Sequence, residues 1–498
     1  MLTRLKIKDF KNLVEVDVRF GPFTCIAGAN GVGKSNLFDA IRFLSSLSDT
    51  TLLDAASSVR AEGDKSADIR GLFNRVGGNY VERMRFEAEM IVPRTAVDDL
   101  GKEGKAKITI LRYIIELKYR EPDSRRTTFP GGDIVIVHEE LNYIQKGEAK
   151  KHLLFPSSKE WLESVVVGAS RSPFISTQKD SDGRTIIKLH QDGNQGRPSH
   201  HVAETLPRTV LSSGSASESP TVLCARREMA SWKLLQLEPS ALRKPSDFNS
   251  PSQISADGKF LAGTLYHMAR TLPETAVIPD EASVYCQISN RLSELIGHVD
   301  SLWVDRDEKR ELFTLMLKEA NGTELPARAL SDGTLRFLSL SVIEMDSRNS
   351  GVICLEEPEN GIHPARIPAM LQLLRDIATD TDVPVEAGNP LRQVIVNTHS
   401  PVVVGETPED SLIVAEVIDT LAAGVRGTMV RFSCLSETWR EEAPEKPNVV
   451  AKGHLLAYLE PKSITTESDR QNIQTIKKTE TRIQKVRERK EFQVRMFP

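Results

Sequence analysis

The chain has 498 residues, 39% hydrophobic and 27% charged, with a formal net charge of −4. That length predicts two cores, or one core with a large insertion, and the mild acidity argues against a surface that coats nucleic acid throughout. No run is long and apolar enough to cross a bilayer, and five scattered cysteines without a CxxC pair argue against a disulfide framework or zinc site.

Residues 2–8 and 14–20 alternate apolar and polar at period two, which predicts a hairpin and offers no secretory core. A reducing cytoplasm is therefore expected. Phe23–Ala27 is an apolar run that reads as a buried strand, and residues 36–44 read as a helix. Between them stands Gly28-Ala29-Asn30-Gly31-Val32-Gly33-Lys34-Ser35, a phosphate-binding loop in the strand–loop–helix setting that gives the pattern its meaning. Its glycines let several N–H groups converge on one anion, and the helix N-terminus adds its positive end. Asn30, Gly31, Gly33, Lys34, Ser35 and Asn36 are the expected nucleotide-binding residues. Lys34 reaches the β- and γ-phosphates, and the Ser35 hydroxyl suits Mg²⁺.

Residues 83–92, 107–119 and 133–143 are rich in Ile, Val, Tyr and Phe and predict antiparallel strands of a second, β-rich layer. Composition shifts after about Gly147. Residues 170–220 are rich in Ser, Asp, Gly and Thr and read as loop-dominated. Helical patterns return over 228–237, 259–270 and 281–296, none with heptads long enough for a coiled-coil arm. A strand over 311–318 closes at Asn321-Gly322, a hairpin-type turn.

Ser331 is a good N-cap for a helix running to about Glu344, and Asp332 suits its first turn. The short apolar run 352–355 reads as a buried parallel strand ending in Glu356-Glu357-Pro358-Glu359-Asn360-Gly361-Ile362-His363-Pro364. Two carboxylates at such a strand end need a cationic partner, and ligands gather at that rim of α/β sheets. Because strand residues alternate faces, the two have different work: Glu356 joins Ser35 around the metal, and Glu357 polarises the attacking water. After a helix over 366–379, the strand 394–398 ends at His399, expected to sense the γ-phosphate from the same rim.

In this order the segments resemble the ABC-type ATPases. Lys34 and Ser35 match the Walker A motif, Ser331-Asp332-Gly333-Thr334 the signature, Glu356-Glu357 the Walker B acid and catalytic glutamate, residues 360–364 the D-loop, and His399 the switch histidine. The wording L-S-D-G-T-L-R, E-E-P-E-N-G-I-H-P and N-T-H-S-P is most similar to the OLD/RecF/SMC-like branch. So is the middle segment, residues 237–246 and 257–261. The resemblance implies an α/β head, with a P-loop core sheet, an antiparallel β lobe and a helical, loop-rich insertion. It divides the chain into 1–147, an insertion at 148–309, a second head part at 310–460 and a basic amphipathic tail at 461–498. It also implies head-to-head pairing, with Ser331 and Gly333 touching the γ-phosphate of a neighbour's ATP. Two departures stand out. The first Walker B acid is Glu356 where Asp is usual. No convincing Q-loop glutamine precedes the β-rich segment, where residues 72–75 would take its place.

ATP hydrolysis with Mg²⁺ is the expected activity, catalysed by Lys34, Glu357 and His399. Beyond His399 there are no acidic clusters of the Toprim nuclease that OLD proteins usually carry. The chain thus resembles the separate ATPase subunits of Septu- and PARIS-type anti-phage systems, which implies an effector on another polypeptide, such as a nuclease. The alternative is a RecF/SMC-like repair or chromosome-maintenance ATPase, which brings DNA in as a partner. A transporter motor is excluded by the long separation of Lys34 and Ser331, so no membrane is expected.

Overall fold

The structure is a computed structural model and describes residues 1–59, 68–121, 132–192, 196–270, 281–422, 425–451 and 453. The tail expected over 461–498 lies outside the described residues.

Seven strands form the central sheet, in the order Lys233–Leu235, Gly351–Glu356, Arg392–Thr398, Phe23–Ala27, Leu412–Ala422, Val425–Leu435, Val449–Val450. The first five run parallel. Parallel strands are covered on both faces and so read as unbroken apolar runs, and every residue of Phe23–Ala27 and Arg392–Thr398 is buried. Ile26, Cys354 and Ile395 enter one core, while Cys25, Ile353, Leu355, Val394 and Val396 enter the other. The parallel registers, with Leu235 beside Leu355, Glu356 beside Asn397 and Thr398 beside Ala27, bring the strands' C-terminal ends to one rim.

Eight antiparallel strands form a lobe, in the order Ser199–Val202, Thr185–Leu189, Ile175–Lys179, Asp133–Tyr143, Ile110–Arg120, Arg83–Ile91, Leu2–Phe10, Leu13–Arg19. The helix Lys34–Leu47 shares the first core with this sheet. Phe43 on the helix stacks on Phe10, which meets Phe86 edge-on, at centroid distances of 5.9 and 5.3 Å. A third, four-stranded sheet (Leu312–Glu319 at its centre, Val299–Asp307 along one edge) packs with the helices Leu261–Arg270, Glu281–Ile296 and Asp332–Met345 in the second core. The molecule is an α/β protein with a P-loop core sheet and an antiparallel lobe. Among the described residues, no helix is long and apolar enough to cross a membrane.

One expectation is refined and one corrected. Residues 170–220 are mostly turn and loop, as expected, but their turn formers punctuate the short strands Ile175–Lys179, Thr185–Leu189 and Ser199–Val202. Asp180 Oδ1 accepts from Asp182 N and Arg184 N, which closes a hairpin between Ile175–Lys179 and Thr185–Leu189. The helix expected over 228–237 ends at Ala230, and Lys233–Leu235 instead pairs parallel with Gly351–Glu356. Long-range strand pairing overrides a local pattern that fits a helix. Residues 148–309 therefore feed all three sheets.

Candidate functional site

A cavity of about 660 Å³ opens at the rim of the core sheet. One wall is Asn12 with Asn30, Gly31, Gly33, Lys34, Ser35 and Asn36; the second is residues 355–358 with Asn360 and Asn397; the third is residues 235–238 with Arg336 and Leu340. Eight of the expected residues line it: six from the phosphate loop and its helix, with Glu356 and Glu357.

The loop takes its shape from contacts on both sides. Gly28 N donates to Thr398 O at 3.2 Å, and a Cβ at Gly28 would stand 2.7 Å from Ala415 O, so only glycine allows that approach. Gly33 caps the helix in a left-handed conformation, with φ 105°. Lys34 Nζ donates to the carbonyls of Gly28 and Ala29 at 2.7 and 2.9 Å. Burial pushes its pKa down, opposed by Glu357, Glu359 and Glu356. The ammonium thus sits on two loop carbonyls, in the field of three carboxylates.

Glu356 ends its strand, and Glu357 leaves it with φ 43°. The two carboxylates therefore diverge through a left-handed turn, where simple strand alternation was expected. Asn397 fixes that turn: its backbone O and its Oδ1 both accept from Glu357 N, at 3.0 and 3.1 Å, and its Nδ2 donates to Glu356 Oε1 at 3.3 Å. Glu357 Oε1 meets His399 Nδ1 at 2.7 Å, and Asn360 Nδ2 donates to Glu357 Oε2 at 2.9 Å. Burial raises the Glu357 pKa, but the bonds from Asn360 and His399 outweigh it and hold the carboxyl below its ordinary range. His399 thus reaches the cavity through Glu357 and is not itself part of the lining.

Glu359 is buried beneath this pair. Thr398 Oγ1 donates to one of its oxygens, while the other has no hydrogen-bond partner among the described residues. Burial raises its pKa, against the Thr398 bond.

Ser331 and Gly333 stand apart from their own chain's cavity lining. Ser331 is exposed and caps its helix by accepting from Thr334 N at 3.1 Å. Arg243 pairs with Asp332 beside it. The serine-tipped helix end faces outward, where a second molecule can reach it.

Several lining residues escaped the sequence reading, among them two polar residues of the third wall, Gln236 and Arg336. Gln236 follows Lys233–Leu235 directly, next to the strand that ends at Glu356. Its local sequence carries no strand signal, because residues 228–237 read as one helix; only the pairing of Lys233–Leu235 with Gly351–Glu356 brings it to the rim. Residues 72–75, expected in the glutamine's place, lie elsewhere. Asn74 Nδ2 donates to Lys11 O at 2.6 Å, outside the cavity lining. Arg336 is the second missed residue. Its Nε is buried without a hydrogen-bond partner among the described residues, and burial lowers its pKa.

Residues 1–95 match the family model "RecF/RecN/SMC N terminal domain", and residues 265–405 match "AAA domain, putative AbiEii toxin, Type IV TA system". The first holds the phosphate loop; the second holds Ser331, Glu356, Glu357 and His399. These matches support an ABC-type ATPase of the RecF/SMC class. The DNA replication and repair protein RecF of Porphyromonas gingivalis is 35% identical over 83 residues, 16% of this chain and 22% of that protein. RecF of Magnetococcus marinus is 50% identical over 106 residues, 21% of this chain and 26% of that protein. The chain thus spans about a quarter of the length of these curated relatives. The SMC head domain from Thermotoga maritima is 13% identical, with 86% of this chain and 98% of that chain covered and a TM-score of 0.36.

Proposed function

We propose that the cavity binds ATP with Mg²⁺ and hydrolyses it, and that two heads pair across the bound nucleotides to hold or regulate a separate effector. The observation that carries the catalytic part is convergence. The phosphate-loop lysine and Glu357, more than three hundred residues apart in the chain, line one cavity, with His399 bonded to Glu357 behind it.

The donor set fits Mg²⁺. Ser35 and Glu356 offer a hydroxyl and a carboxylate in one cavity, both hard oxygen donors, and Mg²⁺ takes few protein ligands beside phosphates and water. When bound, the ion neutralises charge on the β- and γ-phosphate oxygens. Phosphoryl transfer to water otherwise needs positioning and charge compensation. Lys34 exchanges its two loop carbonyls for phosphate oxygens. Glu357, kept ionised by Asn360 and His399, orients the water and accepts its proton. With Nδ1 engaged by Glu357, His399 turns Nε2 toward the γ-phosphate. Gln236 would contribute a polar group from the third wall, next to the strand that ends at Glu356. Ser331 and Gly333 serve the γ-phosphate of a partner's ATP, so binding closes the pair and hydrolysis reopens it.

For the effector, we favour a nuclease on another polypeptide in anti-phage defence. The OLD-like wording of the signature and Walker B segments supports this. So does the match of residues 265–405 to an AAA-domain family described as a putative AbiEii toxin of a Type IV TA system. The RecF matches favour a second reading, an ATPase of DNA repair or chromosome maintenance. The deciding experiment is purification of the tagged chain from its host with and without ATP, alongside ATPase assays with and without DNA. A nuclease retained only with ATP supports the first reading. DNA-stimulated, salt-sensitive activity supports the second. No ATP hydrolysis at all overturns both.

A further inference from the structure

The hairpin between Leu2–Phe10 and Leu13–Arg19 turns on two residues, Lys11 and Asn12, because Phe10 pairs directly with Leu13. Such a turn favours glycine or asparagine at left-handed positions, yet Lys11 has φ 50° and Asp9 has φ 60°. A lysine held there is sterically unfavourable, because its Cβ crowds the neighbouring carbonyl. The surroundings hold it. Lys11 N donates to Leu72 O at 2.9 Å, Asn74 Nδ2 donates to Lys11 O at 2.6 Å, and Lys11 Nζ pairs with Asp39 of the phosphate-loop helix at 2.6 Å.

The result is to press Asn12 against the phosphate loop. Asn12 Oδ1 accepts from Asn36 Nδ2 at 2.7 Å, and Asn12 Nδ2 lies 3.4 Å from Val32 O. Its own carbonyl accepts from Val430 N at 3.3 Å. The fit is close: a Cβ on Gly33 would stand 2.3 Å from Asn12 Nδ2. One side chain therefore touches the residues on both sides of Gly33-Lys34-Ser35, and it lines the same cavity.

We propose that Asn12 is a positioning residue for nucleotide binding: through Val32 and Asn36 it holds the phosphate loop in its anion-cradling shape. The proposal rests on the cavity being the nucleotide site. It also gives the strained hairpin a purpose, since the turn links the eight-stranded lobe to the loop that would grip the phosphates.

The test measures MgADP affinity by calorimetry and MgATP hydrolysis for wild type, Asn12→Ala, Asn36→Ala, the double variant and Lys34→Ala. Asn12→Ala is expected to weaken MgADP binding and raise KM about tenfold, what one or two neutral hydrogen bonds are worth. Its kcat at saturation stays within about twofold, because the Glu357–His399 pair is untouched. Asn36→Ala removes the same bond from the helix side and leaves the hairpin intact, so it shows the same shift even if Asn12→Ala does not fold. The double variant is expected to be no worse than the weaker single variant, as for two residues acting through one bond. Multiplicative losses, or unchanged affinity in Asn12→Ala and Asn36→Ala while Lys34→Ala loses binding, overturn the role of Asn12 alone. Wild type that binds no MgADP overturns the nucleotide site and this proposal together.

Discussion

Glu357 Oε1 lies 2.7 Å from His399 Nδ1, a bond between residues 42 apart in the chain. It forms because Gly351–Glu356 and Arg392–Thr398 are adjacent parallel strands in a register that sets Glu356 beside Asn397. Each strand contributes one partner just past its last residue. Asn397 keeps the Glu357 backbone in the left-handed turn that aims the carboxylate at the histidine. A depressed carboxyl pKa follows from this geometry, and with it a base that is ionised well below neutral pH.

Glu357→Gln is expected to keep nucleotide affinity and lose hydrolysis by about 10²–10⁴, the usual cost of removing a general base. Because binding persists without turnover, the variant should accumulate as a paired species in MgATP. Single-turnover assays and light scattering check both parts. Hydrolysis at the wild-type rate would remove Glu357 from the mechanism.

Much of this site was legible in the sequence because its parts are short and local. Glycines, a lysine and a serine at fixed spacing describe a loop almost completely, and the Ser331 cap is set by its own next three residues. What escaped was long-range. Gln236 reaches the cavity only because Lys233–Leu235 pairs with a strand more than a hundred residues later. Locally, that stretch reads as a continuing helix. Asn12 sits in a turn whose importance emerges only once the hairpin has folded onto the phosphate loop. The strands of 175–202 were hidden for a related reason: their turn residues dominate composition, while the alternating core residues Ile175, Ile187 and Leu189 find partners only across the sheet.

Gln236 faces the cavity from the strand beside Glu356. Gln236→Ala should lower kcat by up to about tenfold, the worth of one neutral hydrogen bond, with MgADP affinity little changed. Steady-state kinetics across a Mg²⁺ titration check this. An unaltered kcat would place Gln236 among the passive lining.

Ser331 caps its helix in full view of solvent. Ser331→Arg removes the cap, at about 1 kcal/mol, and puts a bulky side chain where a partner's nucleotide is proposed to dock. In the Glu357→Gln background it should abolish ATP-dependent pairing while each monomer still binds MgADP. Sedimentation velocity reads the pairing and calorimetry the affinity. Persisting dimers would mean that the heads meet through another face.

Glu139 is fully buried in the lobe, far in sequence from every motif. Its carboxyl accepts from the backbone N–H groups of Val210 and Leu211, both at 2.8 Å, and from Tyr113 at 3.1 Å. Burial still outweighs those bonds and pushes its pKa up to about 7. The folded chain thus holds this proton more tightly than the unfolded chain does, and the stability it contributes is complete in mild acid. That contribution is lost as pH rises from the ordinary carboxylate range through about 7, by about 3 kcal/mol. Glu139→Gln keeps an acceptor for the backbone donors but cannot ionise. Urea midpoints should therefore match wild type near pH 5, and the variant should be the more stable protein near pH 8. A difference between the two proteins that stays constant over that range would mean Glu139 does not take up its proton in the folded lobe.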